Sequence, residues 1–452
     1  MFIASLEGQN PIGSPFDLYV FGTGDAELNR PLIQDGPYPW FGDLAFKAHF
    51  CRPLSCALMT LDHKLFGHFA LAYNAHSALW YVFLAFAALL VFRRVLPPAV
   101  GVLALLLFVV DESHVLPAVW WSNRHSLIAV GMGCLGIAAH LRWREDNWRI
   151  GLPLSLLAYV VALSAAEMGL CMLAYVLAYE VFGRRDEIRQ RFLSVLPAAL
   201  LAIAYLLFYR AGGYGAQFSD IYIDPVGDPV AFLTAAPGRF AMLLGAQFFM
   251  LPVEAVIIRS ELEPYFIIIG CIETVTLAFI LYKLWPRFEE KERQALRWLI
   301  PGAAMATVPT LAAIVNSRVL MAASVGGAAI IAAIIVCLWR ELKLLRAGDE
   351  NVDAASCRVG TKRQGCLFYV RGIMSLLLWG LIVGHLFVAA LAWPAQVTVL
   401  RVVTNQLNTL IRTSELDEFR IADSQVVVFN PPDPYSGLYP LMLRNFDGRS
   451  KP

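Results

Sequence analysis

Charge is what this chain has least of. Only 16% of its 452 residues are Asp, Glu, Lys or Arg, against 58% hydrophobic, and the mean hydropathy is +0.60. An ordinary soluble domain, with about 25% charged residues, is excluded. The few charges nearly cancel, 36 Lys and Arg against 35 Asp and Glu. No basic patch interleaved with aromatics occurs, so nothing points to nucleic acid. The eight cysteines show no zinc-type spacing, and no metal site is expected. Cys134, Cys171, Cys271 and Cys337 lie in apolar runs, where cysteine packs as a small hydrophobe. Cys51 and Cys56 are the close pair that a disulfide can bridge. The first 68 residues lack both an apolar run and a signal-peptide pattern.

What the chain has is long apolar runs. They fall near 69–92, 96–110, 124–141, 152–182, 193–209, 239–258, 265–285, 299–315, 319–339 and 373–393. Several reach the roughly 20 residues that a helix needs to cross about 30 Å of hydrocarbon. The prediction is an all-α polytopic membrane protein, with a bundle of about ten helices over 69–393.

The basic clusters set the orientation. Arg93 and Arg94 follow the first run; Arg142, Arg144 and Arg149 follow the third; Arg184, Arg185, Arg189 and Arg191 follow the fourth. Lys283 to Arg297 and Arg340 to Arg371 form two more clusters. Short loops rich in Lys and Arg stay in the cytoplasm. The run "LPLSLLAYVVALSAAEMGLCMLAYVLAYEVFGRR" has arginine at both ends, so both ends are cytoplasmic and the run crosses an even number of times. As one helix it would be about 46 Å long. The consistent form is a hairpin of two short helices, each about 22 Å, turning at "SAAE". Glu167 then opens the return helix, where negative charge is favoured. An ionisable group within a membrane run is first of all a functional candidate. The other reading is a glutamate hydrogen-bonded between helices, without chemistry.

By the same rule 1–68 is an extracytoplasmic loop with an amphipathic interfacial helix, placed there either by an upstream helix outside this chain, the favoured reading, or by translocation of the polar tail along with the first helix. The piece 239–258, broken at Pro252, lies along the interface or re-enters. The tail 394–452 is extracytoplasmic, and its "VVVF" reads as a β-containing segment cut short. Asp111, Glu112, His114, Arg124, His125, Glu167, Asp220, Asp224 and Arg318 then share the outer face.

Four stretches carry a family resemblance. "PWFGDLAFKAHFCRPLSCALMTLDHKLFGHFALAYNAHSALWY", "HVLPAVWWSNRHSLIAVG", "LSAAEMGL" and "NSRVLMAASVG" fall in order over about residues 38–330. Together they resemble the GT-C glycosyltransferases, nearest to the transmembrane O-mannosyltransferases with tetratricopeptide repeats. The resemblance implies a GT-C-like helical bundle and a sugar donor linked to a polyprenyl phosphate, used on the outer side of the membrane. Arg318 falls on the family's arginine near the lipid phosphate, and Arg124 on the arginine after the second outer loop. Glu167 falls on the motif glutamate, and His114 on a histidine of that loop. Asp25 and Glu27 are the nearest match to the family's Asp-Asp pair. With Glu167 they are the expected catalytic carboxylates, with Asp111 and Glu112 beside His114.

The chain departs from the family at Leu116, where a glutamate is usual, and in lacking the repeats. The acceptor, protein or glycan, and any divalent metal are left open. The Ala, Leu and Arg bias points to a bacterial inner membrane. Two other readings stand beside the transferase: a catalytically inactive GT-C-like scaffold, and a secondary transporter with broken helices.

Overall fold

The computed structural model describes residues 6–7, 16–34, 42–219, 221–353 and 361–413, with side chains for all of these outside 347–369. Strand β1 (Val20–Thr23), helix α1 (Ala26–Gln34), strand β2 (Lys47–His49) and helix α2 (Pro53–Phe66) come first. The bundle follows: α3 (Ala70–Val95), α4 (Pro98–Val110), α5 (His125–Asp146), α6 (Gly151–Ala165), α7 (Met168–Ala178) and α8 (Ile188–Ala211). After strand β3 (Gly215–Gln217) come α9 (Pro229–Phe249), α10 (Glu263–Leu284), α11 (Glu290–Thr307), α12 (Ala323–Asp353), α13 (Thr361–Ile382) and α14 (Ala389–Thr413). Among the described residues seven helices are long and apolar enough to cross a membrane. The chain is an all-α polytopic integral membrane protein.

Packing sorts the helices by depth. The apolar stretch of α12 is 83% buried and forms the centre, while those of α8 and α10 are 11% and 6% buried. α8 and α10 turn leucine, isoleucine and phenylalanine outward, as lipid-facing helices do.

At one end the arginine clusters close on carboxylates of neighbouring helices. Arg94 pairs with Glu145 at 2.8 Å and Asp146 at 2.7 Å, tying α3 to α5. Arg144 pairs with the fully buried Glu180 at 2.7 Å. Arg340 pairs with Glu292 at 2.6 Å, and Glu292 also completes a capping box on Glu289 at the start of α11. This is the arginine-rich end.

The run around Glu167 forms the expected hairpin. α6 runs against α5: Ser155 donates to the Gly136 carbonyl at 2.8 Å, and Gly151 lies beside Ala139 and Trp143. α7 runs with α5: Gly133 faces Met172, and His140 lies 2.8 Å from Glu180. The arms are therefore antiparallel. Ala166, extended, and Glu167, already helical, make the turn. It is tight enough that a Cβ on Gly169 would stand 2.8 Å from the Leu163 nitrogen. Ala165 and Ala166 pack on Ile128 and Ala129, one turn inside α5.

α9 is long enough to cross but turns back, as the charge rule requires of the 239–258 piece. It lies parallel to α10, with Gly238 on Ile267 and Gly270 on Ala241. Its Gln247 donates to Asp111 at 3.4 Å. Left-handed Met250 (φ 58°) reverses the chain, and Glu254 accepts the Ser317 N–H at 2.7 Å. All these partners sit at the end opposite the arginines.

That end carries the only sheet among the described residues, three antiparallel strands in the order β1-β2-β3. β3 belongs to the α8–α9 connection, whose Tyr222 then bridges Ala313. The connection is a strap stitched at two points. Gly213 (φ 70°) and Gly215 (φ 124°) give it the left-handed turns that other residues resist.

The tail differs from expectation. The last helix continues to Thr413, well past the end of the apolar run at 393. Its apolar positions Leu400, Val403, Leu407 and Ile411 recur every three or four residues, so an amphipathic helix extends the span. The "VVVF" segment lies in 414–452, outside the described residues.

Candidate functional site

Glu167 meets a cation from far along the chain. Its Oε2 accepts from Arg52 Nε at 2.9 Å and pairs with Nη2 at 2.9 Å. Its Oε1 accepts from the Tyr209 hydroxyl at 3.2 Å. The helix N-terminus is thus not its main partner. The Arg52 guanidinium also stacks on Tyr19 at 4.8 Å and Phe50 at 4.9 Å. Burial opposes its charge, but Glu167 and Tyr19 outweigh that and hold the guanidinium above its ordinary pKa.

The local sequence explains the placement. β2 delivers Phe50 to Arg52, and Pro53 starts α2 at the position where proline is best tolerated. α2 exposes Leu61 and Leu65 while burying Ser55, Cys56, Met59 and Asp62. This suits a helix lying at the membrane edge. Ser55 donates to the Ala165 carbonyl at 2.9 Å, pinning α2 to the hairpin apex.

Tyr19 connects this pair to α5. Its hydroxyl donates to the Ser122 carbonyl at 2.9 Å, and its ring packs on His125 at 5.4 Å. His125 is buried, its Nδ1 has no hydrogen-bond partner among the described residues, and both Arg52 and Arg318 stand within electrostatic reach of it. Arg318 lies over the Trp120 ring at 5.8 Å. Its turn is fixed by Asn316, which accepts the Arg318 N–H at 3.0 Å, and by Glu254.

Beside that turn lie Asp111, Glu112 and His114. Asp111 accepts from the Ser113 N–H at 2.9 Å. His114 is buried, with Nε2 2.9 Å from Ser324 Oγ and its ring 4.5 Å from that of Phe108. Glu112 has Asp111 and Glu254 within electrostatic reach. Among the described residues its carboxylate has no hydrogen-bond or ion-pair partner.

Arg124 points elsewhere. It is buried, ion-paired with Asp62, and donates to Ser77 at 3.0 Å and the Tyr73 carbonyl at 2.9 Å. His76 lies 2.7 Å from Asp62 and completes the cluster. Arg124 thus ties α5 to α2 and α3 and offers nothing to the outer surface. Asp25 and Glu27 stand apart as well. Asp25 accepts the Glu27 N–H at 2.8 Å and so caps α1, and Glu27 pairs with exposed Arg30 at 3.0 Å. They lie at the far end of β1 from Tyr19, and the structure brings neither to Glu167 or Arg318. Asp224 shapes its own loop by accepting the Val226 N–H at 2.9 Å. Asp220 lies outside the described residues.

Arg52 and Asp62 are site-building residues that the sequence reading did not single out. A signal for Arg52 existed: a lone carboxylate inside a membrane run calls for a cation, and Arg52 opens the amphipathic helix of the same face. Cys51 and Cys56 are both free. Burial pushes the Cys56 thiol up to about 11, and it donates to the Phe16 carbonyl. Among the described residues no group of three or more His, Cys, Asp or Glu is placed to hold a metal ion.

No protein family, no curated protein and no solved structure matches this chain.

Proposed function

We propose that the protein is a GT-C-type glycosyltransferase. It moves a sugar from a polyprenyl-phosphate donor to an acceptor on the extracytoplasmic face of a bacterial inner membrane. The observation that carries this reading is the pairing of Arg52 with Glu167 at the hairpin apex, with Arg318 on the turn that packs beside Glu112 and His114 at the same end of the bundle, remote from the arginine clusters. Guanidinium groups match phosphate oxygens in a fixed fork and keep their charge. The poorly covered α8 and α10 leave apolar surface on which a polyprenyl chain can lie.

Roles follow from commitments. Glu167 is bound through both oxygens, so its part is to orient Arg52. Glu112, beside the Arg318 turn and unpartnered among the described residues, is the better general base for an acceptor hydroxyl. The phosphate then leaves on the cation side.

The distance of Asp25 and Glu27 from this centre favours one other reading, an inactive relative that binds the lipid without transferring sugar. The deciding experiment incubates purified protein with a panel of radiolabelled polyprenyl-phosphate sugars and follows release of lipid phosphate. Release that is lost in Arg318→Ala and Arg52→Ala supports the transferase. Release that persists in both overturns the assignment of the cradle, and binding without release selects the inactive relative.

A further inference from the structure

Tyr175 sits two turns into α7, fully buried between α11 and α12. Its hydroxyl donates to the Ala322 carbonyl at 2.9 Å, with the Ala323 carbonyl at 3.2 Å, and accepts from the Gly326 N–H at 3.0 Å. Ala322 and Gly326 are the pair that an ordinary α-helical bond joins. A side chain from another helix therefore bonds to both groups at the first turn of α12.

Directly upstream, Ser317–Met321 is wound as a 3₁₀ helix and carries Arg318. Such a turn rotates about 120° per residue, against about 100° in an α-helix. Rewinding from Met321 back to Arg318 would swing the guanidinium by roughly 60°. The other end of α7 carries Glu167, about 12 Å away along the axis. α7 thus reaches Arg52 through Glu167 at its N-cap, and the start of α12, directly after the Arg318 turn, through Tyr175. Two glycines make the room. A Cβ at Gly302 would stand 2.5 Å from Tyr175 Cδ1, and one at Gly326 would stand 3.1 Å from the hydroxyl.

We propose that Tyr175 is a positioning residue, whose hydroxyl holds the Arg318 turn in register with the Glu167–Arg52 pair so that both guanidiniums address one phosphate. This rests on reading Arg52 and Arg318 as the donor cradle. The alternative is a tyrosine that merely fills space between helices, for which the hydroxyl would be dispensable.

The test separates the two claims. Nitroxide labels go on Ser164→Cys, near the apex, and Val319→Cys, beside Arg318, with Cys271, Cys357 and Cys366 changed to serine. The distance between labels is measured in the full chain in nanodiscs, and binding of undecaprenyl phosphate is measured in parallel. Tyr175→Phe is expected to move or split the distance by about 3 Å or more, since the three residues from Val319 to Met321 each lose about 0.5 Å of rise and also rotate. It is also expected to weaken undecaprenyl phosphate at least tenfold. Tyr159→Phe removes a buried hydroxyl that has no hydrogen-bond partner among the described residues and should change neither. An unchanged distance in Tyr175→Phe overturns the positioning role. A moved distance with unchanged lipid binding overturns its link to the site. If the parent protein binds no undecaprenyl phosphate, the cradle reading fails, and the distance alone decides whether Tyr175 sets the turn. Should Tyr175→Phe not fold, Gly302→Ala displaces the same ring and is judged by the same distance.

Discussion

Arg52 and Glu167 meet through two nitrogens on one oxygen, Nε and Nη2 each 2.9 Å from Oε2. Lysine keeps the charge but has no fork with which to make that contact and stack on Tyr19 and Phe50 together. A charge-assisted hydrogen bond contributes about 2 kcal/mol, or about 30-fold in an equilibrium constant. Arg52→Lys is therefore expected to weaken undecaprenyl phosphate binding about 30-fold in a nanodisc assay. Binding within twofold of the parent would remove Arg52 from the cradle.

Glu112→Gln should separate chemistry from binding. A positioned general base contributes about 10²–10⁴-fold in rate. Turnover on the active polyprenyl-phosphate sugar should fall by that range while undecaprenyl phosphate binds as before. Full turnover would return the role of base to another carboxylate.

Arg124 and Asp62 should matter to stability more than to the reaction. Breaking a buried ion pair by removing one partner costs about 3–5 kcal/mol, because the other charge stays buried. Asp62→Asn is expected to lower the thermal midpoint in detergent markedly. A wild-type melting curve would show that the pair is not structural.

Cys56 gives a pH signature. Its folded value of about 11 lies above the ordinary 9.0 because burial disfavours the thiolate. Its contribution to stability is whole below pH 9, where both states are protonated, and is lost as pH rises through 11. Maleimide should leave Cys56 unmodified in folded protein at pH 8, and a reductant should not change the mobility of the chain on gels. Rapid labelling at that pH would contradict the buried thiol.

Sidedness can be checked with exposed positions at the two ends. Ile258→Cys should react with a membrane-impermeant thiol reagent on intact cells, and Ile150→Cys only after lysis. The reverse pattern would place the site in the cytoplasm.

The hairpin was legible because its evidence is one-dimensional: length, two flanking arginine clusters, and a break at "SAAE". The return of α9 was legible for the same reason. The partner of Glu167 was not, because nothing in a hydropathy pattern tells Arg52 from Arg124; both precede a helix on the same face. What separates them is Asp62, whose burial on the inner side of α2 captures Arg124 and leaves Arg52 for the apex. The end of the last helix was missed at Trp393 because membrane runs are found by continuous hydropathy. Beyond Pro394 the signal changes to the three-and-four spacing of a half-polar helix. Asp25 and Glu27 were chosen by motif alone, and the geometry that sets them apart, the length of β1, is a tertiary fact.

The shortness of α6 has a consequence for the fate of a donor. Fifteen residues span about 22 Å, against about 30 Å of hydrocarbon, and the apex meets α5 a turn inside its start. On the proposed transferase reading, a phosphate drawn to Arg52 would sink beneath the level of neighbouring headgroups. Bulk water would be scarce at that depth, and scarcity of water would protect an activated sugar from simple hydrolysis. An acceptor hydroxyl presented at that depth competes against few rivals, so transfer can be favoured by where the hairpin stops as much as by the groups it carries.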